Sequence, residues 1–401
     1  MLITNIGELL TMVPRGDDPL GRIAGAAVAI DAGQVVYAGP ASGAPQGAHE
    51  IIDAEGALVS PGLIDPHTHP IFAGSRAPEF DLRARGKSYA EIQSAGGGIL
   101  STVHATCAAS DAELIASTLA RLDRLMRHGV TACETKTGYA LDGPGELRLL
   151  RLLCEVQQRH AVDLSITLLA HVPPPEENRS RFVASFAHNT IPTAARAGAE
   201  ALDVYCDQGA FTREETRTLL EAGRAVGLRL RVHAEQFTHT GVADLAAELG
   251  ATSVEHLEQL SESSIAGLAA AGTVCTLLPG AALTLRLPWP DARRLIDGGC
   301  TVALGTDLNP GSSYTESLPL MMSLACMQMG MSCAEAWRGV TVAAAHAIGR
   351  RDAGWVGRGA RGDLVLWDAT DHREVIQHYG VPLVRRVVIS GSEQRLGARP
   401  E

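Results

Sequence analysis

From Ser110 to about Asp307 the chain alternates between two rhythms of apolar residues. "SDAELIASTLARLDRLMRHG" carries its leucines and isoleucine at helical spacing, opens on Ser110 with Glu113 three residues later, and closes at Gly129. That pattern predicts an amphipathic helix with a capping box and a glycine stop. "VTACETK" follows as a short strand-like run. The alternation then repeats: a Leu-rich helix from about Glu146 to His160 precedes "DLSITLLAH", and "TREETRTLLEAGRAVG", capped by Thr212 and Glu215, precedes "LRLRVHAEQ". Further on, "GVADLAAELG" leads to "ATSVEHL", "SSIAGLAAAG" to "TVCTLLPG" and "WPDARRLIDGG" to "CTVALGTD". Eight strands are predicted, starting near Leu58, Val130, Asp163, Ala201, Leu228, Thr252, Thr273 and Thr301. Eight strands alternating with helices predict a TIM-type (β/α)8 barrel. The competing architecture, a doubly wound open sheet, usually announces itself by a Gly-rich first turn for a dinucleotide. None is visible.

The two ends read differently. Residues 1–57 hold short alternating segments, "AAVAIDAG", "QVVYAG" and "HEIIDAEG", and residues 354–401 give "GDLVLWDAT" and "LVRRVVISG". Neither end has enough apolar surface for a core of its own. Paired, they predict one small β-sandwich beside a barrel spanning residues 58–353.

Composition narrows the function. Of 401 residues 46% are hydrophobic and 20% charged, enough for a substantial core. A formal net charge of −11 argues against nucleic acid as the partner and for a small-molecule substrate. The first residues lack a basic start and a sustained apolar stretch, and no run nears the roughly 20 apolar residues that span a bilayer, so neither secretion nor a membrane partner is expected. Eight cysteines lie scattered, without a C-x-x-C pair, as expected of reduced thiols in a cytoplasmic protein. The 34 basic residues include only two lysines, Lys87 and Lys136.

Barrel enzymes carry their chemistry at the C-terminal ends of the strands. Read in order, those positions give His67 and His69 after the first strand, Tyr139 after the second, His171 after the third, His233 after the fifth, His256 after the sixth and Asp307 after the eighth. His67 and His69 stand one residue apart and so share one side of an extended chain. A single histidine at such an end is commonly a satisfied polar residue. Here five of the chain's 14 histidines, with an aspartate, converge on one rim, which points to a metal. Imidazole nitrogens with a carboxylate suit Zn²⁺ or Fe²⁺ and leave a position open for water. A bound dication lowers the pKa of that water towards 7, and a neighbouring carboxylate can take and pass on its proton. This is hydrolase chemistry. The fourth strand, "ALDVYC", has no lysine that could be carboxylated to bridge two ions, so one divalent metal ion per subunit is expected.

"PGLIDPHTH", the histidine of "RVHAEQ" and the aspartate of "GTD" resemble the amidohydrolase superfamily. Within it, "HTHPIFAGSRAPEFDLRARGKSYAEIQSAGGGI", "ETKTGYALD", "LLAHVPPPEE", "SVEHLE", "LLPGA" and "GTDLNPGSS" resemble the imidazolonepropionases, from about residue 58 to 349 and more weakly into "GDLVLWD". The resemblance implies hydrolysis of the lactam of 4-imidazolone-5-propanoate to N-formimidoyl-L-glutamate, in histidine catabolism, by a metal-activated hydroxide. It implies His67, His69, His233 and Asp307 as metal ligands. Arg76, Tyr139, His171, Gln236, Asn309, Gly311 and Ser312 match substrate-contacting positions. A homodimer follows from the resemblance alone.

The chemistry of these residues agrees with that expectation. A planar two-pronged guanidinium suits a propanoate carboxylate, and Arg76 lies in the loop just beyond the two histidines. Asn309, Gly311 and Ser312 form a tight turn that offers side-chain and backbone donors, or is simply a turn. Many ring-attacking amidohydrolases place a glutamate three residues after the fifth-strand histidine as proton shuttle. Here that residue is Gln236, an amide that cannot exchange protons, and the adjacent Glu235 is expected to point away. Asp307 or His171 is then left to move protons. His256 either acts on the carbonyl or hydroxide, or supports the ligands from behind. Gly96 to Gly98 predict a loop at the mouth, within a candidate lid over residues 86–100. The rival functions are another mononuclear cyclic amidohydrolase or ring deaminase, and an inactive relative serving as an interaction module.

Overall fold

A computed structural model describes residues 1–87, 91–92 and 97–396. In chain order the strands are β1 (Leu2–Leu9), β2 (Ile23–Asp31), β3 (Gln34–Pro40), β4 (Ile51–Asp53) and β5 (Leu58–Pro61). Then come β6 (Leu63–Asp65), β7 (Val130–Lys136), β8 (Asp163–Ala170), β9 (Ala201–Cys206), β10 (Arg229–Ala234), β11 (Ser253–His256), β12 (Val274–Leu277) and β13 (Val302–Leu304). The last are β14 (Leu364–Trp367), β15 (Val384–Ile389) and β16 (Ser392–Gln394).

Strands β6 to β13 pair in sequence, every neighbour parallel, as a (β/α)8 barrel requires. The helices between them bury one face each. Helix Asp111–Arg127 has both halves of the Ser110/Glu113 capping box and buries Leu114, Ile115, Leu122 and Leu125, and helix Arg213–Ala225 repeats the device with Thr212 and Glu215. The ring closes beyond the C-terminal ends of β6 and β13. Thr68 bridges Leu308 in parallel, the amide of Asp307 donates to the carbonyl of His67 (3.0 Å), and the amide of His69 donates to that of Leu308 (2.9 Å).

The barrel interior is partly ionic. Lys136 on β7 is fully buried, its Nζ 2.7 Å from both Glu134 and Asp203. Arg231 on β10, also buried, pairs with Glu255 at 2.9 Å and donates to the carbonyls of Ala347 and Pro66. Burial drives the Glu255 carboxyl up to about 7. Charges this deep persist only as a hydrogen-bonded set.

Both chain ends join in the second sheet, of order β16-β15-β14-β5-β1-β2-β3 with β4 beside β1. It is one continuous mixed sheet, and one core draws on seven of its strands, including Ile3, Ile6, Val28, Val35, Ile52, Val59, Leu364 and Val388. Its other side packs on the barrel through Trp367, whose indole donates to Ser60 (2.9 Å) and meets Trp337 edge-on at 5.5 Å. The strand predicted to start the barrel near Leu58 is two strands. Leu58–Pro61 pairs with β1 and β14, and only Leu63–Asp65 enters the barrel. Gly62 lies at the crossing because a side chain there would sit 2.1 Å from the hydroxyl of Thr131. Within the candidate lid, residues 88–90 and 93–96, and with them Gly96, lie outside the described residues.

Lys136→Met removes the shared cation and leaves two carboxylates buried. It is expected to destabilise the protein by about 3–5 kcal/mol, read as a lower midpoint in denaturant unfolding with unchanged slope.

Candidate active site

The C-terminal ends of the strands surround a cavity of about 480 Å³. His67 and His69 follow β6, and their Nε2 atoms lie 3.3 Å apart. Each Nε2 lies 3.5 Å from the same oxygen, Oδ1 of Asp307. The His233 ring is 4.6 Å from that of His67 and 5.5 Å from that of His69, centroid to centroid. Its Nδ1 hydrogen-bonds Oδ1 of Asp203 at 3.1 Å, which leaves Nε2 for the centre. Asp203 is held in turn by Lys136, so the ionic layer below the site sets the tautomer of a residue within it.

This donor set fits a divalent cation. Two imidazole nitrogens and a carboxylate oxygen converge within 4.8 Å of one another, and all are buried. Burial holds His67 and His69 well below the usual histidine range, and brings His233 down to about 3 against the pull of Asp203. All three imidazoles are therefore neutral, the state that ligates a metal. One cation between His67 and His69 would satisfy both Nε2 atoms and the carboxylate oxygen they share. Burial also raises the Asp307 carboxyl to about 6.

The remaining residues form the wall. His171 is fixed by Nδ1 donating to the carbonyl of Gly138 (2.9 Å), and burial lowers it to about 4. It therefore presents a neutral Nε2 acceptor, stacked 5.7 Å from His69. Tyr139 is buried beside it. Burial depresses His256, but Glu258, 3.5 Å from Nδ1, offsets this and the net shift is upward. Arg76 is buried and lines the cavity, as do Gln236, Asn309, Gly311 and Ser312.

Two details refine the expectations. Oδ1 of Asn309 accepts from the amides of Gly311 and Ser312, both at 2.8 Å, while Nδ2 donates to the carbonyl of Asp307 and to the Ser312 hydroxyl. Asn309 thus spends its amide on building the turn behind Asp307. Glu235 turns away, accepting from the amides of Thr240 (2.7 Å) and Ala243 (3.2 Å). Sequence reasoning passed over Tyr205, whose hydroxyl donates to Oε1 of Gln236 (3.2 Å), and Asp203. Both are on β9, and Tyr205 stands opposite His233 in register. The signal for Asp203 was an acidic residue in an otherwise apolar strand.

The family model described as "Amidohydrolase family" matches residues 50–99 and 86–392. The imidazolonepropionase of Myxococcus xanthus is 42% identical over 404 residues, covering 98% of this chain and 96% of its own. That of Deinococcus radiodurans is 44% identical over 400 residues, covering 98% and 99%. The chain belongs to the imidazolonepropionase family of amidohydrolases. Among solved structures, the 5-methylcytosine deaminase of Klebsiella pneumoniae matches with a TM-score of 0.78 at 16% identity over all of both chains. The adenosine deaminase of Xanthomonas campestris, solved with bound zinc, matches with a TM-score of 0.70 at 17% identity, covering 98% of this chain and 94% of its own. The imidazolonepropionase-family chain thus has the amidohydrolase fold and a donor set for a divalent metal. Among the described residues no helix is long and apolar enough to cross a membrane.

Two outcomes follow for the metal centre. Asp203→Asn removes the acceptor that fixes His233, and is expected to weaken Zn²⁺ binding about 10- to 100-fold in competition with a chromophoric chelator. Because the Asp307 carboxyl of the metal-free protein is raised to about 6, a cation must displace a proton below that pH. Zn²⁺ affinity should be nearly flat just above pH 6 on this account and fall about tenfold per pH unit below it, in the same titration.

Proposed function

We propose that this protein hydrolyses the lactam C–N bond of 4-imidazolone-5-propanoate to give N-formimidoyl-L-glutamate. The observation that carries the reading is the pairing, in one cavity, of a metal-type donor set with a buried arginine. His67, His69, His233 and Asp307 are the proposed ligands. The ion is one Zn²⁺ or Fe²⁺ per subunit, since both accept nitrogen-rich sets containing a carboxylate. When bound, it supplies Lewis acidity, which lowers the pKa of a ligated water towards neutrality.

The protein's own groups then divide the work. Arg76 binds the propanoate through charge-assisted hydrogen bonds. His171, held with its proton on Nδ1, accepts from a ring N–H and sets the tilt of the ring. The amide of Gln236, steadied by the hydroxyl of Tyr205, hydrogen-bonds the substrate without exchanging protons. Tyr139 closes the wall beside His171. His256, with Glu258 behind it, stabilises charge growing on the ring carbonyl oxygen. The proton of the attacking water goes to Asp307, which hands it to the ring nitrogen as the C–N bond breaks. His171 is the poorer shuttle, because burial lowers it to about 4 and its Nδ1 is committed to Gly138. A homodimer in the cytoplasm is part of the same proposal and rests on the family resemblance.

The test is a coupled assay in which urocanase makes the imidazolone from urocanate in situ. Loss of imidazolone absorbance and appearance of N-formimidoylglutamate, both faster than spontaneous decay and both abolished by a chelator, are the expected result. No acceleration by metal-replete protein would refute the assignment. In the same assay Arg76→Met should raise KM about 10- to 100-fold with a smaller change in kcat.

A further inference from the structure

Arg76 does not stand alone in the wall. It precedes helix Ala77–Ala84, and Glu79 lies in the first turn of that helix. Arg76 Nε donates to Oε2 of Glu79 at 2.8 Å, and Nη2 donates to the same oxygen at 2.6 Å. Both residues are more than nine-tenths buried. The other oxygen of Glu79, Oε1, accepts the amide of Gly98 at 3.0 Å. One carboxylate therefore joins the arginine to the segment that begins helix Ile99–Ala108, and Ile99 itself lines the cavity. The guanidinium lies over Gly311, where a Cβ would come within 2.2 Å of Nη1. With Nε and one side of Nη2 committed to Glu79, the edge carrying Nη1 has no partner among the described residues. A buried guanidinium with an open edge is incomplete, and a carboxylate completes it in the planar two-pronged geometry.

From this we infer that Glu79 is a positioning residue for substrate selection. It holds Arg76 by one edge so that the opposite edge faces the cavity, and thereby sets the preference for ligands bearing a carboxylate. The inference rests on the proposed role of Arg76. Glu79 touches no substrate in this scheme. Its effect is orientation, which removes the rotamer freedom that an unanchored arginine would lose on binding. Gly311 is the second half of the device, because any side chain there would push the guanidinium off its seat.

The experiment uses the metal-replete full-length protein with Glu79→Gln and Glu79→Asp. Gln cannot accept from Gly98 and Arg76 as a carboxylate does, and Asp withdraws the charge by one methylene. The probes are 3-(imidazol-4-yl)propanoate and its primary amide, whose affinities are measured by calorimetry and so do not depend on turnover. The wild type is expected to prefer the carboxylate about tenfold or more. Both variants should lose most of that preference by binding the carboxylate about tenfold more weakly, while amide affinity, metal content and near-UV circular dichroism stay unchanged. Equal weakening of both ligands would show that Glu79 only supports the fold, and would overturn the inference. So would an unchanged preference in the variants. If one variant fails to fold, the other carries the measurement. A wild type without preference for the carboxylate would instead remove the role of Arg76, and with it the substrate assigned above.

Discussion

The site depends on how the barrel closes. Seven of its eight seams are ladders between named strands, but the last is made by a few hydrogen bonds at the rim. There His67 accepts the amide of Asp307 and His69 donates to Leu308. These bonds join the first and last strands and, in the same stroke, bring the two histidines and the aspartate to one point. A barrel that failed to close would have no metal centre. Conversely, a cation held by His67, His69 and Asp307 would clamp the seam that their own backbones form.

Below the rim, the ionic layer turns closure into a defined chemical state. Lys136 fixes Asp203, Asp203 fixes the His233 ring, and Arg231 reaches Pro66, just before the first histidine. The backbone adds further constraint. Glu235, His256, Leu257 and Asp307 all have φ between 52° and 77°, a left-handed conformation that is uncommon in residues with side chains. Such positions persist only where surrounding structure enforces them, and here they cluster where strands give way to the site. Glu235 illustrates the trade: its carboxylate leaves the cavity to hold the loop that follows.

Much of this was legible in the chain because it is periodic or local. Seven of the eight barrel-strand starts, from Val130 onward, could be read from alternating apolar segments to within a residue, and two capping boxes marked helix starts that are found where expected. His67 and His69 were visible as a pair because i and i+2 share a side in extended chain. What escaped depends on register between strands far apart in sequence. Tyr205 is opposite His233 only once β9 and β10 align. The crossing at Gly62 was hidden because Leu58–Ile64 is polar only at Ser60, and periodicity cannot tell one strand in one sheet from two strands in two. Asn309 read as part of a tight turn, with or without donors to spare; that its side chain builds the turn from within shows only in the local geometry.

The layering of the barrel has a consequence for how such a protein can change. The residues that fix the metal donors lie in the dry interior and interlock, so altering one leaves another charge unpaired. Those that line the cavity come from several loops, and Arg76, Tyr139, His171 and Gln236 follow different strands. A new specificity could therefore be reached through single steps in the wall, with the floor left intact. Evolvability, on this view, follows from a division of labour between an interlocked ionic base and a rim whose segments touch only in pairs, as His171 does Gly138 and Gln236 does Tyr205.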